Sequence, residues 1–304
     1  MKKKQDTRTA FKMGFEGNDK LVKIDDETLA RLQDILMDML RDFVAVVDKY
    51  HINYTLGGGS VLGAIRHGGF IPWDDDIDIN MSRKNYMEFR KVFKKELGDK
   101  YILCGPEFGH GHGLSCMQMK KRGTICKSFN ELSKKDEYCG ITMDIFVAEN
   151  TFNNALGRKL QGIISLAFGY ILTCRKTYSD MPYLEPYLTN EATRNAFQKK
   201  AKRGRFFKWW NLDKLARFTD RRYQMCKNHN SKYVTFPTGR KHFFGELGLR
   251  SDLCDSTVVK FRDLDVRVPK NYDGYLRKLY GDNYMEVPPE GSHEHHPVME
   301  LKID

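Results

Sequence analysis

The run "LGGGSVLGAIRHGGFIPWDDDIDIN", residues 56–80, decides how this chain is to be read. It places Asp74, Asp75, Asp76 and Asp78 just behind a glycine run and the pair Arg66-His67. The chain as a whole is basic, with 51 Lys and Arg against 40 Asp and Glu, so the acid cluster is a local feature that needs its own cause. Neighbouring carboxylates about 5 Å apart repel by roughly 3 kcal/mol per pair at a near-surface dielectric. A bound cation is the usual compensation.

Within this run the pattern predicts strand, turn, helix and strand. "INYTL" (52–56) is β-like and runs into Gly57-Gly58-Gly59-Ser60, after which "VLGAIR" reads as a short amphipathic helix. Glycines at such a junction let backbone approach a phosphate, with helix N–H groups and Ser60 as donors. A tight turn without a ligand would use the same residues. "DIDIN" alternates acid and Ile, so Asp76 and Asp78 project from one face of a strand. Hard oxygens on one face suit Mg²⁺ or Mn²⁺, completed by phosphate oxygens of a substrate. Asp144, in "TMDIF", has a similar apolar frame. If its strand lies beside the first, three carboxylates converge, and two ions about 4 Å apart could serve a displacement at phosphorus. Asp74 and Asp75, beside Pro72-Trp73, also suit a solvated turn. Arg66 is a candidate for bidentate phosphate binding, with a surface ion pair as its alternative; His67 suits a helix cap as readily as a ligand.

Further out, residues 25–50 have apolar residues at helical spacing (Leu29, Leu32, Leu36, Leu40, Phe43) behind a cap at Asp25 or Asp26. Residues 82–97 form another capped amphipathic helix, 114–121 and 140–149 further strands, 256–269 a hairpin around Asp263-Leu264, and 271–281 a short helix with a glycine stop. From about 153 to 230 the pattern is helical and basic. The expected fold is therefore α/β (α+β): a mixed sheet core flanked by helices, with a helical insertion. Residues 1–20 read as a polar tail and 21–304 as one domain.

The formal charge of +11 points to an anionic partner. Seven cysteines, an odd number with no CxxC pair, suit reduced thiols in a cytoplasmic protein. Residues 1–10 lack the apolar stretch of a signal peptide. The run "IISLAFGYILTC" (163–174) is too short to span a bilayer and reads as a buried or interfacial helix.

Residues 58–79, "GGSVLGAIRHGGFIPWDDDIDI", closely resemble the signature of LicD-type phosphotransferases, and through it the fukutin-type ribitol-phosphate transferases. "GITMDIF" (140–146) is similar to that family's second acidic strand, and "VPKNYDGYLRKLYGDNYMEVPP" (268–289) to its C-terminal block. The resemblance implies a nucleotidyltransferase-like fold, Mg²⁺ at the acidic edge and a CDP-linked alcohol donor. It assigns Asp76, Asp78 and Asp144 to catalysis and metal, and Gly58, Gly59 and Ser60 to the donor phosphates; Arg66 and His67 lie inside the signature. Two departures stand out. Val147-Ala148-Glu149 replaces the Pro-Leu-Asp that follows in many relatives, and Gln118 stands where a basic residue is common, leaving Lys120 or Lys121 to reach phosphate or to form only a solvated basic strand end.

The function expected on these grounds is Mg²⁺-dependent transfer of phosphocholine, or another phospho-alcohol, to a sugar hydroxyl of a glycan or its lipid-linked precursor, with release of CMP. A nucleotidyltransferase releasing pyrophosphate, and a non-catalytic binder of nucleotide or glycan, are the alternatives. His110, His112, Cys116, Cys126 and Cys139 fit no standard zinc spacing. "HEHHP" (293–297) reads as a tail or a cover for the site. Residues 199–222 interleave basic and aromatic side chains. That pattern suits a helix packed through Phe206, Phe207, Trp210, Leu212 and Leu215, or contact with an anionic membrane surface at the inner face; nucleic acid is not the expected partner.

Overall fold

A computed structural model describes residues 18–110, 113–289 and 297–303. The expectations for residues 1–17, for His112 and for the histidines of 293–296 fall outside the described residues.

The first described helix, α1 (Asp26–Lys49), is capped by Asp25, whose side chain accepts from the Thr28 N–H at 2.9 Å. Its apolar stripe of Leu36, Leu40, Phe43 and Val47 is fully buried. Strand β1 (Thr55–Leu56) leads into α2 (Gly58–His67), and β2 (Asp78–Ser82) into α3 (Arg83–Leu97), which Ser82 caps through the Asn85 N–H. Next come β3 (Tyr101–Cys104), β4 (Met117–Lys121), β5 (Ile125–Lys127) and β6 (Thr142–Asn150). The helical stretch holds α4 (Ala155–Leu184), α5 (Glu191–Arg205) and α6 (Leu212–Tyr223). The chain then returns through β7 (Tyr233–Thr235), α7 (His242–Gly245), β8 (Gly248–Leu249) and α8 (Arg250–Cys254). It closes with the hairpin β9 (Ser256–Phe261) and β10 (Leu264–Pro269), α9 (Tyr272–Tyr280) and β11 (Glu300–Lys302), which pairs with β5.

The central sheet is mixed, as the alternation of strands and helices predicts. Its strand order is β1-β2-β6-β4-β3, with β7 also on β6 and β8 on β7. The β2–β6 pair is parallel; β1–β2, β4–β6 and β3–β4 are antiparallel. Period-two alternation places Ile77, Ile79, Met143 and Ile145 in the core, while Asp78 and Asp144 fall on the opposite face. Phe89 packs edge-to-face on Phe43 at 5.1 Å, joining α3 to α1 over the buried side of the sheet.

Three expectations change on folding. The glycines are the first turn of α2 and not a loop before it, with Gly57 as the extended cap residue. The segment 199–222 is two helices and a corner, and at that corner Phe206 stays 79 % exposed instead of packing inward. Val147-Ala148-Glu149 continues β6 to Asn150. There the Glu149 carboxylate accepts from Arg83 Nε at 3.1 Å, while Arg83 Nη2 donates to Asp220 of α6 at 2.8 Å. All three side chains are buried, so this triad fastens the helical insertion to the sheet. None of the seven cysteines is in a disulfide. Among the described residues no helix is long and apolar enough to cross a membrane.

Candidate active site

Two parallel strands build the floor of the site. Register pairs Asp78 of β2 with Asp144 of β6, and the Asp144 N–H donates to the Ile77 carbonyl at 3.0 Å. Asp76 lies two residues before Asp78, ahead of β2 and not on the strand as expected, yet all three acids line one cleft of about 570 Å³. That volume suits a ligand of nucleotide size. On the other side of β6, antiparallel β4 sets Gln118 opposite Asp144, and Gln118 Nε2 donates to Asp144 Oδ1 at 2.7 Å. The residue in the place of a basic one therefore orients the third acid.

Helix α2 points its N-terminus at this floor. Gly58 has φ +44°, and a Cβ there would stand 2.6 Å from Asp78 Oδ2. A Cβ on Gly59 would stand 2.9 Å from Asp74 Oδ2. A side chain at either position would thus push a carboxylate of the cleft aside, and at Gly58 the backbone conformation also favours glycine. No acid occupies the first turn, so the positive end of the helix faces the cleft. The Gly58 N–H is already taken, donating to the Tyr275 hydroxyl at 2.9 Å.

Arg66 lines the cleft at the far end of α2 and donates through Nη1 to the carbonyls of Tyr284 and Glu286, both at 2.9 Å. It ties the C-terminal block down as the cleft's wall. Three expected phosphate contacts are placed elsewhere. Ser60 is buried, and its Oγ accepts from the Asp78 N–H at 2.9 Å, so it locks α2 to β2. His67 accepts from Arg66 Nε at 2.9 Å and faces Trp73 edge-on; burial, then the Arg66 charge, lowers its pKa below the ordinary 6.5. Lys120 is 1 % exposed and pairs with Glu131 at 3.3 Å; it shares a face of β4 with Gln118 but stands two residues further along, opposite Thr142 and not Asp144.

The rest of the cleft comes from residues to which the motifs gave no role: Asn80, Phe236, Arg240, Glu246, Tyr275, Tyr280 and Tyr284. Arg240 lies 5.9 Å from the centroid of the Tyr280 ring. Burial raises the Tyr275 hydroxyl to about 12, keeping it a neutral hydrogen-bonding group. The block 268–289 was recognisable as a unit, but nothing local in it says that Tyr275 meets Gly58 across 217 positions.

Among the described residues no three Asp, Glu, His or Cys side chains are gathered as a ready-made cage for an ion. The cleft instead offers carboxylates without thiolate or imidazole. That donor set fits Mg²⁺ or Mn²⁺, which bind through one or two carboxylates and draw their other ligands from phosphate and water.

Residues 51–135 match the family described as LicD/FKTN/FKRP, nucleotidyltransferase domain. The lipopolysaccharide cholinephosphotransferase LicD of Haemophilus influenzae is 28 % identical over 91 % of this chain and 98 % of its own length. The human ribitol 5-phosphate transferase FKRP is 46 % identical, over 24 % of this chain and 13 % of its own. An uncharacterized protein of Rickettsia typhi, RT0683, is 33 % identical over 23 % of this chain and 25 % of its own. Residues 51–135 thus resemble the nucleotidyltransferase domain of the LicD/FKTN/FKRP family, and the similarity to one LicD protein extends along 91 % of the chain.

Proposed function

We propose that this chain is a phosphotransferase that moves a phospho-alcohol group, phosphocholine first among them, from a CDP-linked donor to a sugar hydroxyl of a glycan. The observation that carries the reading is the pairing of Asp78 with Asp144 on adjacent parallel strands, with Asp76, beneath the N-terminus of α2. The similarity to a lipopolysaccharide cholinephosphotransferase along 91 % of the chain supports the choice of group and acceptor class.

In this reaction the acceptor oxygen forms a bond to the phosphorus that bears the alcohol, the bond from that phosphorus to CMP breaks, and the hydroxyl proton leaves. Asp76 and Asp78, with Asp144 beside them, would hold Mg²⁺ or Mn²⁺, which when bound neutralises charge on the diphosphate and on departing CMP. Asp144, whose carboxylate accepts from Gln118, would take the proton. Arg66 and Arg240 bring positive charge to the cleft for the donor's phosphates. Trp73, Phe236, Tyr275 and Tyr280 give the same cleft aromatic walls, which attract a quaternary ammonium. Transfer at phosphorus depends chiefly on positioning and charge stabilisation, and these groups supply both.

The test is release of CMP from a panel of CDP-alcohols, with Mg²⁺ and a glycan acceptor. CDP-choline should be turned over fastest, and Asp78→Ala should lose at least about 100-fold in kcat. Undiminished turnover by Asp78→Ala would sink the assignment. The matched domain's description as a nucleotidyltransferase favours a second reading, transfer of a nucleotidyl group with pyrophosphate as leaving group. The mass gained by the acceptor separates the two.

A further inference from the structure

The first half of helix α4 is built inside out. Its buried positions there are Gln161, Gly162 and Ser165, while Leu156, Leu160, Ile163, Leu166 and Tyr170 are exposed by 79, 54, 52, 39 and 48 %; the second half buries Leu172, Cys174 and Leu184 in the ordinary way. At 100° per residue these five fall within one stripe about 120° wide and about 21 Å long. A solvated helix arranges the two kinds of residue the other way round.

The stripe continues at both ends. The Arg203 guanidinium hydrogen-bonds the Tyr170 hydroxyl, which brings the α5–α6 corner against the far end of the stripe. At that corner Phe206 and Trp209 are 79 % and 73 % exposed. Near the other end the half-exposed Phe244 ring lies against Gly162. Phe244 belongs to α7, which directly follows Gly239 and Arg240 of the cleft.

Charge separates the possible occupants. Residues 155–179 contain Arg158, Lys159, Arg175 and Lys176, of which Lys176 is buried and paired with Asp180; residues 192–212 contain seven Lys or Arg and no acid, so the exposed positive charge is densest on α5 and its corner with α6. A second copy would bring the same cations to the same face and be repelled. An anionic bilayer is complementary in both respects. Its headgroups take the cations, and its acyl boundary takes a Leu/Ile stripe and an aromatic corner.

We propose that the exposed face of α4 and the α5–α6 corner dock this chain in the surface of an anionic lipid bilayer, α4 lying in the interface plane. No step of the transfer reaction enters this claim, so it stands or falls separately from the proposed function.

The experiment uses the full chain and extruded vesicles, without nucleotide or acceptor. The protein should sediment with vesicles of phosphatidylcholine containing phosphatidylglycerol, and binding should weaken as salt rises. Tryptophan emission should shift to the blue on binding, and Trp209→Phe should abolish most of that shift. Leu160→Glu with Ile163→Glu should weaken binding by roughly tenfold or more while the CD melting curve stays in place. If that pair fails to fold, Phe206→Ser with Trp209→Ser, at a corner where both side chains are more than 70 % exposed, must show the same loss. Equal binding to pure phosphatidylcholine would overturn the proposal, as would unaltered binding by folded variants. Concentration-dependent dimerisation that the same substitutions abolish would also overturn it and make a second copy the occupant.

Discussion

Asp144 sits between two side chains, and the two differ in how far a sequence displays them. Asp78 comes from alternation along β2, a local property that "DIDI" displays openly. Gln118 comes from strand pairing, which a sequence does not display: where the family pattern puts a basic residue, an amide donates to the carboxylate. Gln118→Leu removes that donor and leaves a carboxylate without its orienting bond. Activity is expected to fall by about 10–100-fold with little change in melting temperature, the pattern for loss of an orienting partner. Gly58→Ala is a different case. Its φ of +44° costs an L-residue about 1–2 kcal/mol, and its new methyl must displace the Asp78 carboxylate 2.6 Å away. Denaturant titration should register that loss of stability, and the variant should lose most of its activity even where it is fully folded. Full activity in folded Gly58→Ala would show that Asp78 can move without consequence.

At the scale of elements, those with a period of their own were readable from the sequence. The stripe of α1, the cap at Ser82 and the glycine stop after α9 are set by neighbours within a few residues. The pattern predicts the start of α2 a turn late, because glycines argue against helix by propensity, while Gly58 and Gly59 leave room there for the carboxylates of Asp78 and Asp74. The departure at Glu149 is likewise tertiary in origin. It lengthens β6 and supplies one acid of a buried triad whose other members lie on α3 and α6. Removing the shared cation should therefore cost more than removing any surface ion pair. Arg83→Met strands two buried carboxylates and is expected to destabilise the fold by about 3–5 kcal/mol. Chemical denaturation followed by CD measures this. A loss below about 1 kcal/mol would mean that the triad does not hold the insertion in place.

For the whole molecule, the mixed sheet and the helical insertion followed from the order of patterns along the chain. The walls of the cleft did not, because Phe236, Arg240, Tyr275 and Tyr284 reach it from sequence positions far from the acids. Such a cleft should be stabilised by what it binds. A donor present at about 100 times its dissociation constant adds about 2.7 kcal/mol. Differential scanning fluorimetry with CDP-choline and Mn²⁺ should thus raise the melting temperature, and EDTA should reverse the part that depends on the ion. No shift with any CDP-alcohol would count against the cleft as the donor site.

The Arg66 bonds to the carbonyls of Tyr284 and Glu286 fix when this cleft can exist. Its acids and glycines leave the ribosome early, yet Gly58 must await the hydroxyl of Tyr275, and Arg66 must await backbone more than two hundred residues downstream. During synthesis the floor is in place long before the wall. A nascent chain stopped short of that block therefore holds every acid of the proposed chemistry and has nowhere to seat a donor.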